Sequence, residues 1–129
     1  MLKSIHHGAI ICSDYEKSKY FYTAILGLKV IAENYRKARD SYKLDLQLPD
    51  GGQIELFSFT HAPKRSSYPE ALGLRHLAFN VESVEDARDY LLSQGIAVES
   101  IRIDEYTGQK YTFFSDPDDL PLELYEQST

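Results

Sequence analysis

Hydrophobic and polar residues alternate in short runs along the first half of the chain, and one stretch changes to a helical period. The runs are rich in β-branched and aromatic residues and predict strands at 5–12, 28–33, 42–48 and 53–59. Between the first two runs, Phe21, Tyr22, Ile25 and Leu26 recur on one face of a helix. The first half is therefore predicted to fold as βαβββ.

Capping signals mark both ends of this helix. Ser13-Asp14-Tyr15-Glu16 has the composition of a capping box, and Gly27 stands where a left-handed stop residue is expected. The turn before the last strand is predicted at Pro49-Asp50-Gly51-Gly52.

The second half repeats the same order of signals. Strands are predicted at 74–81, 96–103, 110–115 and 120–125, and a capping pattern at Ser83 opens a helix that Gly95 ends. The stretch between the halves is polar and contains Pro63 and Pro69, as is typical of a linker. We expect an α+β fold with one domain over 1–129, in which module 1 covers about 4–60, the linker 61–72 and module 2 about 73–127.

Two histidines and two glutamates occupy equivalent places in the halves: His7 with Glu55, and His76 with Glu123. The first pair runs from position 7 to position 55 and the second from 76 to 123, and each residue lies in an apolar run. A carboxylate in such a run is costly unless a positive charge meets it. Two imidazoles and two carboxylates can bind one divalent cation, so these four residues are the predicted metal ligands.

Strand alternation indicates how the four side chains could meet. Ile54 and Leu56 would face the helix, which leaves Glu55 on the opposite face, and Glu123 lies equally between Leu122 and Leu124. If the first and last strands of a module are neighbours, each His lies near its Glu. His6 has the wrong parity to be a ligand, and His61 falls in the linker.

Charge and composition exclude several partners. The net charge of −6 and pI of about 5.1 argue against nucleic acid, and no apolar stretch could cross a bilayer. The N-terminus has no signal-peptide layout, so we expect a cytoplasmic protein. The single cysteine, Cys12, is expected in the core. Arg36, Arg39 and Lys43 could bind an anionic part of a small substrate.

The chain resembles the vicinal oxygen chelate superfamily, which contains glyoxalase I. The resemblance covers nearly the whole chain and is carried by His7, by Ile25-Leu26-Gly27, by Ile54-Glu55-Leu56, by Arg75-His76-Leu77 and by Phe114-Ser115-Asp116-Pro117-Asp118 with Leu122-Glu123-Leu124. It implies two βαβββ modules in a cup-like, eight-stranded mixed sheet around one divalent ion. It also implies a homodimer, in which a site lies within one chain or is shared by two.

The ligand set resembles that of glyoxalase I, whose pattern is His, Glu, His, Glu. Extradiol dioxygenases of the superfamily lack an acid at the position of Glu55. Glutathione-using glyoxalases usually carry an arginine four residues after the first ligand, where this chain has Ile11, and often a polar contact four residues after the second, where it has Phe59. These differences predict a substrate handle other than glutathione.

The resemblance implies a metal-dependent lyase or isomerase acting on a small 2-oxoaldehyde or thiol adduct. Zinc or nickel is expected first, with cobalt, manganese or iron possible. Glu123 is the expected proton carrier and Glu55 the other catalytic carboxylate, with an enediolate as the anion to be stabilised. The alternatives are an extradiol-type dioxygenase and a non-catalytic module that binds a small molecule.

Overall fold

The computed structural model describes residues 1–127, and the chain divides into two compact units, Met1–Lys64 and Arg65–Thr129. The first unit contains β1 (His7–Cys12), α1 (Tyr15–Tyr20), β2 (Lys29–Arg36), β3 (Ser41–Gln47) and β4 (Gln53–Ser58). The second contains β5 (Leu77–Val81), α2 (Val84–Ser93), β6 (Arg102–Ile103), β7 (Lys110–Ser115) and β8 (Pro121–Glu126). The predicted organisation of both modules into one domain stays a prediction.

Each unit has one four-stranded mixed sheet with the same topology. The strand orders are β1-β4-β3-β2 and β5-β8-β7-β6. In each sheet the first strand of the unit pairs in parallel with the last one, and the remaining pairs are antiparallel. The α+β class and the two βαβββ modules predicted from the sequence are therefore confirmed.

Side-chain caps fix where the helices start. The Asp14 carboxylate accepts a hydrogen bond from the Lys17 amide (3.1 Å), and the Ser83 hydroxyl accepts one from the Asp86 amide (3.1 Å). The first cap is thus Asp14, one residue after the serine that opens the predicted capping box. After α1 the chain continues as a π-helical segment, Phe21–Ile25. None of the helices within residues 1–127 is long and apolar enough to span a bilayer.

Glycines end both helical segments, as the sequence predicts. Gly27 and Gly95 each have φ of +78°, a left-handed conformation that side chains with a Cβ rarely adopt.

The core of each unit lies on one face of its sheet. In β3 and β4 the alternate residues Leu44, Leu46, Ile54 and Leu56 are buried, and Leu122 and Leu124 are their equivalents in β8. The residues between them are only half-buried. The alternation places charged and aromatic side chains, such as Glu55, Phe57, Phe113 and Glu123, on the other face of each sheet.

Four predicted strands have clearly different bounds, and the one predicted at 28–33 extends to Arg36. β1 starts at His7, opposite the first residue of β4, Gln53, and the ladder of β5 starts at Leu77, opposite Leu122 in β8. The predicted strand at 96–103 is wrong over most of its length, because only Arg102–Ile103 pairs with β7. Ahead of it, the Glu99 amide donates to the Phe113 carbonyl (2.9 Å).

Replacing Leu122 by alanine should lower the free energy of unfolding by about 2–5 kcal/mol, because a fully buried side chain leaves a cavity in the core. Urea denaturation monitored by circular dichroism measures this loss. Leu92→Ala on the exposed side of α2 is the matched control, with an expected loss of less than about 1 kcal/mol. Equal losses at the two positions would contradict this assignment of the core face.

Candidate functional site

The parallel pairing of β1 with β4 brings the first predicted ligand pair together. Ala9 pairs directly with Glu55, and His7 lies two residues earlier in β1, so its side chain is on the same face. The His7 Nε2 atom is 3.5 Å from Glu55 Oε2.

The second pair has the same geometry in the other unit. Ala78 pairs directly with Glu123, and His76 lies two residues before it. Its Nε2 atom is 3.5 Å from Glu123 Oε1. The side chains of Glu55 and Glu123 are each only 13% exposed. Carboxylates that are this strongly shielded from solvent are stabilised by a nearby cation.

In the first unit, two further charged side chains accompany Glu55. Asp45 lies directly opposite Glu55 on β3, and the Lys43 ammonium is 2.7 Å from Asp45 Oδ1 and 3.8 Å from Glu55 Oε2. The lysine separates two carboxylates that would otherwise repel each other.

In the second unit, the equivalent place is aromatic. Phe113 lies directly opposite Glu123, and its ring meets the His76 imidazole edge-to-face, with centroids 5.0 Å apart. The Arg102 guanidinium lies over Phe113 (5.5 Å) and Tyr111 (5.1 Å). The carboxylates Glu55 and Glu123 therefore have equivalent backbone positions but different neighbours.

The sequence did not predict these neighbours, because the register of the hairpins could not be read from the predicted turns. A hairpin centred on the turn predicted at 49–52 would place residue 45 opposite residue 56, whereas the observed pairing is shifted by one residue and places Asp45 opposite Glu55. Arg102 could not be predicted either, because most of the strand predicted around it does not form.

A hydrogen-bonded tyrosine lies at the edge of the same face of the second sheet. The Tyr125 hydroxyl donates to Asp104 Oδ2 (2.9 Å), and the Tyr106 amide donates to the other oxygen, Oδ1 (2.9 Å). These two hydrogen bonds, the one from the Tyr106 amide most strongly, lower the pKa of Asp104, so its carboxylate stays charged. The hydrogen bond from Tyr125 also holds the tyrosine ring in place, two residues along β8 from Glu123.

The Nδ1 atoms of His7 and His76 have different surroundings. His7 Nδ1 is 2.9 Å from Nδ1 of His6, so the neighbouring imidazole orients it. His76 Nδ1 is buried and has no hydrogen-bond partner within residues 1–127. His61 is exposed in the linker, and Cys12 is buried in the core of its unit.

The three cations proposed for substrate binding have different environments. Arg36 donates to the Ser41 hydroxyl (2.9 Å) and its guanidinium lies 4.7 Å from the ring of Phe57, which shares a face with Glu55. Arg39 is exposed in the 3₁₀ turn Lys37–Arg39, and Lys43 is engaged by carboxylates.

The donor set fits a divalent cation. Imidazole nitrogens and carboxylate oxygens are common ligands of zinc and nickel, and each His–Glu pair presents an Nε2 atom beside a carboxylate oxygen. Each unit contains one His–Glu pair. Within residues 1–127, no group of three or more His, Cys, Asp or Glu side chains is close enough to bind a metal ion.

Comparisons with known proteins cover the full length of the chain. It is 61% identical over 127 residues to the uncharacterised protein YwkD of Bacillus subtilis, covering 98% of this chain and 99% of that one. The crystal structure of a glyoxalase family protein from Enterococcus faecalis superposes with a TM-score of 0.91 at 52% identity, over 96% and 98% of the two chains.

More distant relatives include named enzymes. A lactoylglutathione lyase of Schizosaccharomyces pombe is 25% identical, over 96% of this chain and 47% of its own length. A 2-epi-5-epi-valiolone epimerase of an Actinomyces species is 27% identical, over 94% and 78%. The model of the Glyoxalase/Bleomycin resistance protein/Dioxygenase superfamily matches residues 4–124. The chain therefore belongs to this superfamily, which is the vicinal oxygen chelate group that its ligand pattern resembles.

Proposed function

We propose that the protein is a metal-dependent isomerase or lyase of the glyoxalase type, which moves a proton next to a carbonyl of a small 2-oxoaldehyde or its thiol adduct. The observation that carries this proposal is the pair of equivalent His–Glu contacts. Both are 3.5 Å long, and both lie on the face of a sheet that is turned away from the hydrophobic core. Members of the superfamily include glyoxalases, dioxygenases and fosfomycin resistance proteins, and they generally bind a divalent metal.

His7, Glu55, His76 and Glu123 would hold one divalent ion, zinc or nickel first and cobalt, manganese or iron as alternatives. When bound, the ion supplies Lewis acidity, which makes the C–H next to the carbonyl more acidic and stabilises negative charge on the substrate oxygens.

The two carboxylates have different tasks in this proposal. Glu55 is held by the ammonium of Lys43, so it is suited to stay in place as a ligand. Glu123 faces the Phe113 ring instead, and no lysine or arginine forms an ion pair with it within residues 1–127. A carboxylate that is not held by a cation of its own sheet is the better proton carrier, so Glu123 takes the proton from one carbon and returns it to the next.

The side chains around the two His–Glu pairs favour a substrate that carries a group other than glutathione. Ile11 and Phe59 occupy the two places where glutathione-using relatives carry polar contacts. Arg36 is better placed than Arg39 or Lys43 to bind an anionic group, since it lies on the face of Glu55 and is not neutralised by a carboxylate within residues 1–127. Phe113 offers an apolar surface beside Glu123, and the Arg102 guanidinium over this ring is paired with Glu99 (3.3 Å).

Untagged protein should contain close to one divalent ion per chain by elemental analysis. Chelation should lower its melting temperature, because an ion that binds only the folded state stabilises it. His7→Ala and His76→Ala should each weaken cobalt binding by at least about tenfold, since each removes a ligand. His61→Ala is the matched control and should leave affinity unchanged.

Turnover of methylglyoxal with a panel of thiols measures the reaction itself. Glu123→Gln should abolish it, because an amide cannot accept the proton. Failure of the untagged protein to bind any divalent ion would refute the proposal. Oxygen uptake on a catechol by the iron-loaded protein, without isomerase activity, would instead assign it to the extradiol dioxygenases.

Replacing Lys43 by methionine should lower the free energy of unfolding by on the order of 0.5 kcal/mol at pH 7 and low salt, because Asp45 and Glu55 then repel each other across two strands. Asp45→Asn in the same background should restore most of that loss. Urea titrations of the single and double variants measure both changes. If the second substitution restores nothing, Lys43 does not act by separating the carboxylates.

We further infer that the protein is a homodimer, as is common in the superfamily. Apolar side chains are almost fully exposed at the N-terminus (Leu2, Ile5) and ahead of β5 (Leu72), which favours their burial against a second copy. Light scattering should give twice the 14.8-kDa chain mass. Leu72→Ser should weaken the dimer, whereas a wild-type monomer at micromolar concentration would contradict this inference.

Co-refolding the His7→Ala variant with the His76→Ala variant, followed by a measurement of cobalt binding, distinguishes a metal site shared by two chains from one within a single chain. A site shared by two chains regains one intact ligand set in each mixed dimer, and a site within one chain regains none.

A further inference from the structure

One arginine, Arg65, hydrogen-bonds to the backbone of the segment just before β5. The Arg65 guanidinium donates from Nη2 to two successive carbonyls, those of Leu74 (2.9 Å) and Arg75 (2.7 Å), and from Nε to the Ser67 hydroxyl (3.0 Å). Hydrogen bonds from a charged donor are stronger than neutral ones, and a planar guanidinium holds its acceptors in fixed directions.

The two carbonyls lie immediately ahead of His76. The ladder of β5 with β8 begins only at Leu77, so His76 is outside the strand. In the first unit, by contrast, His7 is part of β1, and its ring is hydrogen-bonded to the ring of His6. The Nδ1 atom of His76 has no hydrogen-bond partner within residues 1–127, so the orientation of the ring depends on the backbone before it, on the Phe113 ring and on the contact of Nε2 with Glu123.

We propose that Arg65 is a positioning residue for His76. By fixing the carbonyls of residues 74 and 75, it sets the direction in which the chain enters β5 and holds the imidazole beside Glu123. This inference rests on the proposed function, because it gives His76 the task of a metal ligand. Arg65 itself touches neither substrate nor metal.

The contact between the rings of His76 and Phe113 gives a readout that needs no metal. In metal-free wild-type protein an NOE between the two rings is expected from their 5.0 Å separation. Arg65→Ala should abolish it, and Arg65→Lys should weaken it, because an ammonium on a flexible stem does not reproduce the fixed fork that holds both carbonyls. Lys64→Ala, which removes the same charge from the adjacent exposed residue, should leave the NOE intact.

The second readout is cobalt binding, followed by the absorption of the bound ion. Arg65→Ala should weaken the affinity about tenfold, as is usual when a group that orients a ligand is lost. An Arg65 that merely fastened the loop would change the melting temperature of the metal-free protein but neither the NOE nor the affinity.

The outcomes separate the two proposals. If wild-type protein binds no cobalt, the proposed function fails, while the NOE still decides the role of Arg65. An unchanged NOE in folded Arg65→Ala, or an equal loss in Lys64→Ala, overturns the positioning role. If Arg65→Ala does not fold, the lysine variant decides in the same way, and an undiminished NOE in it overturns the proposal.

Discussion

The parallel pairing of the first strand with the last strand in each unit is the constraint on which the candidate site depends. This pairing sets Ala9 opposite Glu55 and Ala78 opposite Glu123, and so places each histidine diagonally from its carboxylate. Because side chains alternate between the faces, a slip of one residue would turn the histidine toward the core and an apolar residue outward. The same register pairs Ile10 with Leu56, and both side chains are buried. The hydrophobic core therefore enforces the geometry of the polar face.

Local sequence signals predicted the elements of the fold, and pairing partners decided their ends. The alternation in β4 and β8 indicated which face of each sheet is buried, and Gly27 and Gly95 marked the ends of the helical segments. The segment 96–101 has the apolar composition of a strand but forms almost no ladder. Alternation reports burial, whereas a strand requires a neighbour with free amide and carbonyl groups. This neighbour cannot be read from the segment itself.

The candidate site was predictable in its ligands but not in its surroundings. The four ligand candidates follow from equivalent positions in two repeated patterns, and the structure brings each His–Glu pair within one unit to 3.5 Å. Whether both pairs bind one ion stays a prediction. The role of Lys43 depends on a cross-strand contact between side chains, and that of Arg65 on hydrogen bonds to backbone carbonyls of a loop; no sequence motif marks either. Such contacts become visible only when the register is known.

The different neighbours of Glu55 and Glu123 bear on how such a chain can evolve. Each His–Glu pair is set by its own pair of parallel strands, while the residue facing the carboxylate comes from the third strand, as Asp45 in one half and Phe113 in the other. Mutations on that third strand can change the polarity around one carboxylate without moving the ligands of either half. A duplicated architecture can thus acquire a new substrate through drift in one repeat, while the other repeat preserves the ancestral chemistry.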